Sequence, residues 1–123
     1  MVSRDNSLGR YIAPNELNVS VLVVGEVRRG IERLRRRDPQ QATRLEERLR
    51  QLQCSMTGRI LPVSLAIADR WGRINVPNPF PVVDGLLAAT ALEHDLILVT
   101  RNVRDVERSG VRLLNPFADE ASA

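Results

Sequence analysis

The chain has 123 residues, the size of one compact domain, and its 43% hydrophobic and 27% charged residues exclude a disordered or collagen-like sequence. Its basic residues number 18, all Arg, against 15 acidic ones, giving a net charge of +3. The absence of Lys excludes a Lys nucleophile or Schiff base. Aromatics are only 3%, so the core is aliphatic and base stacking on an aromatic sheet is disfavoured.

Arg forks suit carboxylate or phosphate partners, although an Arg-only basic complement is also what a GC-biased genome produces. The single Cys54 excludes an internal disulfide and a multi-cysteine zinc site, and cytoplasmic residence is the simple expectation. His94 is the only histidine, and no Gly-x-Ser-x-Gly pattern occurs, which argues against a serine hydrolase. No apolar run approaches the roughly 20 residues of a membrane span, so no membrane association is expected.

Residues 1–15 are polar, Gly-bearing and aperiodic, and read as an irregular arm rather than a strand. From Leu17 the run Leu-Asn-Val-Ser-Val-Leu-Val-Val alternates and then becomes continuously apolar, as a strand buried in a parallel sheet does. Val23, Val27, Ile31 and Leu34 then recur at helical spacing, with Arg28, Arg29, Glu32, Arg33 and Arg35 on the other face. That helix runs to Asp38, where Pro39 closes it. Gln41 to Gln53 forms a second amphipathic helix with Ala42, Leu45, Leu49 and Leu52 on one face. Arg35, Arg36 and Arg37 lie between the two helices, either as a solvated helix end or as a phosphate contact. Cys54 reads as a buried small hydrophobe.

Ile60 to Val63 is a short strand, and Ser64 is placed to cap a helix carrying Leu65, Ala68 and a core Trp71. Three prolines in Val76-Pro-Asn-Pro-Phe-Pro81 dictate an extended connection, with Pro81 suited to a helix start. Val82 to His94 is a Leu- and Ala-rich helix whose Ala88 and Ala89 are small enough to lie closely on a sheet. His94 at its end reads as a dipole partner rather than a catalytic base. Leu96 to Val99 is a buried strand, Thr100 to Asp105 turns after it, and Arg112 to Leu114 makes a last strand. The folded domain is 16–117 and the tail 118–123. Strands alternating with helices predict a three-layer α/β/α fold with a parallel sheet.

In such a sheet ligands bind outside the carboxyl ends of the strands, and Glu26, Asp84 and Asp105 fall there, joined by Asn102 and Thr100. Grouped carboxylates repel unless a cation sits between them, and hard oxygen donors suit Mg²⁺ or Mn²⁺. Acidic residues early in helices are also ordinary dipole-favoured or capping residues. Spacing alone leaves both readings open.

Three segments carry a resemblance: Gly25-Glu26-Val-Arg-Arg-Gly30-Ile-Glu-Arg-Leu34, Val83-Asp84-Gly-Leu-Leu-Ala-Ala-Thr90-Ala-Leu, and Leu98-Val-Thr100-Arg-Asn102-Val-Arg-Asp105. In their order and their strand and helix context they resemble PIN-domain nucleases. Leu113-Leu-Asn-Pro-Phe117 and the Arg-Asn-x-x-Asp form resemble the VapC/FitB-like branch, toxins of type II toxin–antitoxin pairs. The resemblance spans Glu16 to Phe117. It implies a ribonuclease that uses Mg²⁺, or Mn²⁺, held by an acidic cluster. By position Glu26 and Asp84 are metal-site carboxylates, Asp105 or Asn102 takes the last acidic place, and Thr100 is the hydroxyl beside them. It further implies an RNA substrate, a VapB-like antitoxin over the acidic groove, and a homo-oligomer.

Family members begin with an apolar strand ending in an Asp-Thr-Asn-type motif, whose Asp is a metal residue, followed by a helix. This chain is expected to lack that unit. Asp5-Asn6 is a superficial substitute: only Met1-Val-Ser-Arg4 precedes it, and its distance to Glu26, 26 − 5 = 21 residues, is much shorter than the family's. The connection from Trp71 to Asp84 also looks shortened. The expectations that follow are a PIN-like sheet missing its N-terminal central strand, impaired cleavage, and marginal stability, because strands near Val19 and Val99 would lose a shared neighbour. A catalytically inactive PIN-like protein that binds an antitoxin or homologous toxin subunits is the alternative, and a misassigned start a third.

Overall fold

The computed structural model describes residues 2–3, 17–100 and 103–115. The first strand after the arm is shorter than expected, and the reason is Ser20. Its Oγ accepts the Leu22 backbone N–H at 3.1 Å, with Ser20 itself still extended. That cap turns the apolar run Val21-Leu22-Val23-Val24 into the start of a helix instead of a continued strand. The chain therefore forms β2 (Leu17–Ser20) and α1 (Val21–Arg35). Asp38 caps α2 (Pro39–Ser55) by accepting the Gln41 N–H at 3.1 Å, and Pro39 fills the first helical position, where a missing N–H costs nothing.

The α1–α2 hairpin has a core of its own in Ile31, Ala42 and Leu49, with Val24, Leu34 and Leu45 packed around it. On its surface Arg35 reaches both Glu32 and Glu46 at 3.0 Å, and Arg28 joins the same two carboxylates. Arg35 is thus engaged within the hairpin, while Arg36 and Arg37 form an exposed helix end. Cys54 is exposed, contrary to the expectation of burial. Five residues beyond Leu49 is about 140° around a helix, off the buried face.

A second hairpin follows β3 (Ile60–Leu61). Ser64 caps α3 (Leu65–Ile74) as expected, its Oγ accepting the Ile67 N–H at 3.2 Å. The inward face is Ile67, with Trp71 and Ile74 half-buried, whereas the expected Leu65 is 88% exposed and Ala68 is exposed too. After the 75–81 connection come α4 (Val82–Glu93), capped at its C-terminus by His94, and β4 (Ile97–Val99). The expected turn beyond Thr100 contains a short helix, α5 (Val103–Val106), then a 3-10 turn over Glu107–Ser109. Gly110, at φ 83°, ends it in a backbone region that favours glycine, and β5 (Leu113–Leu114) follows.

The sheet corrects two expectations. Its order is β3-β2-β1-β4-β5, and the central strand β1 is Val2–Ser3, within the arm read as irregular. β2 with β3 and β4 with β5 are parallel, but β1 runs antiparallel to both neighbours, pairing Val2 with Asn18 and Leu98, and Ser3 with Leu17 and Ile97. Central strands must satisfy their backbone donors and acceptors on both edges, and an extended segment of either direction can do so. β2 and β4 therefore share a neighbour, and the instability argued from its loss does not apply at these positions. Among the described residues, Val19 and Ser20 pair only with β3 and Val99 only with β5. The main core joins Ala88, Ala91, Leu96, Leu98, Val106 and Val111, with Leu61, Ile74, Leu87, Leu92 and Leu113 around it. Among the described residues no helix is long and apolar enough to cross a membrane.

Leu98 is 2% exposed at the centre of this cluster, so Leu98→Ala should cost about 2–5 kcal/mol by lost burial and a residual cavity. Ser20→Ala should cost about 1 kcal/mol through the lost cap. Urea denaturation measures both, and an unchanged midpoint for Leu98→Ala contradicts the placement of the core.

Candidate functional site

Asp84 is the third residue of α4, close behind the extended Pro81. A helix N-terminus favours a carboxylate, yet burial first and the charge of Asp105 second hold the Asp84 carboxyl above the usual carboxylate range. Desolvation and like charge together outweigh the dipole. The two carboxylates therefore share one locality, although they belong to different segments. Asp105 is exposed on α5, and its neighbour Val106 is sunk into the core beside Ala88 and Ala91, which holds α5 against α4.

Thr100 follows β4 directly, half-buried, its N–H donating to the Leu114 carbonyl at 3.0 Å. Asn102 and Asp5 lie outside the described residues. Glu26 sits exposed on α1 and is ion-paired with Arg29 at 2.8 Å. Among the described residues, no three His, Cys, Asp or Glu side chains are gathered to hold a metal ion. Of the expected cluster, the Asp105 charge acts on Asp84 across the contact between α5 and α4, and no described group of three joins Glu26 to them. Glu26 finds its positive charge one helical turn away, on its own helix.

The aspartate pair fits a hard divalent cation in its chemistry. Two oxygen-donor groups of like charge, one partly desolvated, are relieved by a positive ion between them.

The connection ahead of α4 carries features that the sequence did not reveal. Asn75 donates from Nδ2 to the Trp71 carbonyl at 2.6 Å and accepts the Phe80 N–H on Oδ1 at 2.8 Å. Phe80 is buried, and Gly85 lies so close that a Cβ there would sit 3.1 Å from Trp71 Nε1 and 3.2 Å from Phe80 Cβ. Trp71 is half-buried, with its indole N–H enclosed against this turn and, among the described residues, without a hydrogen-bond acceptor. Arg108, exposed in the 3-10 turn, donates to the Asn78 and Pro79 carbonyls at 2.7 Å each and stacks 3.7 Å above the Phe80 ring. The one available signal was an aromatic between two prolines and an Arg three residues after Asp105.

A family model described as PIN domain matches residues 3–108. Among solved structures, the chain is similar to FitAcB from Neisseria gonorrhoeae, with 28% identity and a TM-score of 0.80 over 86% of this chain and 79% of that one. It is also similar to FitAB bound to an IR36 DNA fragment, with 26% identity and a TM-score of 0.76 over 86% of this chain and 77% of that one. No curated protein matches the chain.

The raised Asp84 pKa fixes the sign of a pH effect. Below the ordinary carboxylate value of about 4 the group is protonated folded or unfolded and contributes nothing. Above it the unfolded chain loses the proton first, so stability falls as pH rises, until pH passes the raised folded value. Asp84→Asn should therefore gain melting temperature relative to wild type between pH 4 and pH 7; an equal difference at both pH values contradicts the shift.

Proposed function

The chain belongs to the PIN domain family, and on that premise we propose that it is a divalent-metal-dependent endoribonuclease, the toxin half of a toxin–antitoxin pair. The observation that carries this reading is the Asp84–Asp105 pair beside the N-terminus of α4. Asp84 and Asp105 hold Mg²⁺ or Mn²⁺, with Glu26 and Asn102 as further donors and the Thr100 hydroxyl beside them. When bound, such an ion activates water and neutralises charge developing on a scissile phosphate. Asp84 presents its charge from a half-buried position, and the ion offsets the cost of ionising there. Glu26 joins by leaving Arg29, which is inexpensive because exposed ion pairs are weak.

The family resemblance and the net positive charge of the chain support RNA as substrate. A VapB-like antitoxin is the proposed partner, supported by likeness to the FitAB structures and by Val27 and Leu52, which stand exposed beside Leu45 and Leu49 in an apolar groove of the α1–α2 hairpin. A homo-oligomer in the cytoplasm completes the proposal. The engagement of Glu26 with Arg29, and the lack of a three-group metal cluster among the described residues, favour a second reading, a PIN-like protein that binds its partner without cutting RNA.

Incubating the purified chain with RNA and Mn²⁺ distinguishes the two. The first reading expects cleavage that EDTA removes and that Asp84→Asn lowers by about 100-fold. Partner binding with no cleavage above the Asp84→Asn background supports the second, and cleavage indifferent to both EDTA and the substitution contradicts the first.

A further inference from the structure

We propose that Arg108 is a positioning residue that sets the spacing of Asp84 and Asp105 by fastening the 76–81 connection to the segment that carries Asp105. The inference rests on the reading of that pair as a cation site.

Two carboxylates on separate segments move apart unless the segments are held. α5 has only four residues and cannot hold itself, so its place comes from its anchors. Val106 is one, buried at 2% exposure. The second is two residues further on. The Arg108 guanidinium grips two consecutive carbonyls, of Asn78 and Pro79, and its carbon sits 3.7 Å over the next residue's ring, Phe80. A planar fork with several fixed donors matches that arrangement, and an ammonium does not.

What Arg108 grips has few other restraints. Pro77, Pro79 and Pro81 have no N–H to give to a helix or a sheet, so side chains must fix the connection. Asn75 holds it from the α3 side through the Phe80 N–H, and Arg108 holds it from the α5 side. Phe80 then passes the constraint on. Its Cβ lies against Gly85, the residue after Asp84, and the adjacent Pro81 carbonyl accepts the Gly85 N–H at 2.8 Å, which closes the first turn of α4. A continuous set of contacts thus runs from the Asp105 segment through Arg108, Phe80 and Gly85 to Asp84.

The charge of Arg108 is not used on the aspartates. Among the described residues no carboxylate pairs with its guanidinium, whose partners are two carbonyls and a ring. Arg108 thus holds the two segments together without itself neutralising the pair, which leaves the pair available to a cation.

The test compares full-length wild type, Arg108→Ala and Arg108→Lys in two measurements: Mn²⁺ affinity by calorimetry, and hydrogen exchange at the Gly85 amide in metal-free protein. The expected result for Arg108→Ala is a Kd for Mn²⁺ raised by about tenfold or more, with faster exchange at Gly85 and unchanged exchange in the α1–α2 hairpin. Arg108→Lys should recover little of either, because one ammonium cannot span two carbonyls and stack; it also carries the test if Arg108→Ala fails to fold. Wild-type Mn²⁺ affinity in Arg108→Ala overturns the proposal, as does full recovery in Arg108→Lys or exchange that quickens equally throughout the chain. If wild type binds no Mn²⁺ while Gly85 exchange still quickens in Arg108→Ala, the cation reading fails and the tie itself is supported.

Discussion

The face that α4 turns inward carries Ala88, Ala89 and Ala91, all fully buried, and side chains this short let a helix approach its neighbours to the limit set by backbone and methyl groups. Ala88 and Ala91 pack with Leu98 of β4, Val106 of α5 and Val111 ahead of β5, so three successive segments take their positions from one helix. Gly85 continues the same stripe toward the N-terminus, where Trp71 and Phe80 close over it. Small residues thus do at the front of α4 what they do at its centre, and the front is where Asp84 sits. The depth that desolvates Asp84 and the closeness of α5 that brings Asp105 beside it have this common origin.

The electrostatics of the described residues divides into two regimes. On the α1–α2 hairpin, carboxylates and guanidiniums are exposed and paired with one another, as in the set formed by Arg28, Glu32, Arg35 and Glu46, and the Arg35 hydrogen bond holds the Glu32 carboxyl below its ordinary value. Glu26 belongs to this regime through Arg29. Asp84 and Asp105 have no such partner among the described residues, and the carboxyl of Asp84 is pushed upward instead. A carboxylate neutralised by its own helix contributes to the surface, whereas a like-charged pair with no counter-charge among the described residues is poised for an external one.

Much of this was legible in the sequence. The helices of both hairpins, the Ser64 cap, the Pro81 start and the Ala88–Ala89 contact follow from spacing and local chemistry. The errors have particular causes. Val21 to Val24 look like strand because apolar runs are ambiguous, and a single capping hydrogen bond at Ser20 decides for helix. Val2–Ser3 is too short to show a period, and its role as the central strand comes from the unmet backbone groups of β2 and β4 rather than from its own residues. Leu65 and Cys54 were misjudged because hydrophobic character was read without the rotation that places each one outside the buried face. Asp84 and Asp105 stand out in the sequence as acidic positions at strand ends, but Arg108 does not, since an Arg gripping carbonyls from another segment leaves no pattern along the chain.

The central question is whether the Asp84–Asp105 pair takes a divalent cation. Melting the metal-free chain with and without Mg²⁺, alongside Asp84→Asn and Asp105→Asn, measures this directly. An ion that binds only the folded state stabilises it by about 2.7 kcal/mol at a concentration of 100 Kd. The predicted result is a rise in melting temperature for wild type that both variants lose. The same rise in all three proteins, or none in wild type, contradicts it.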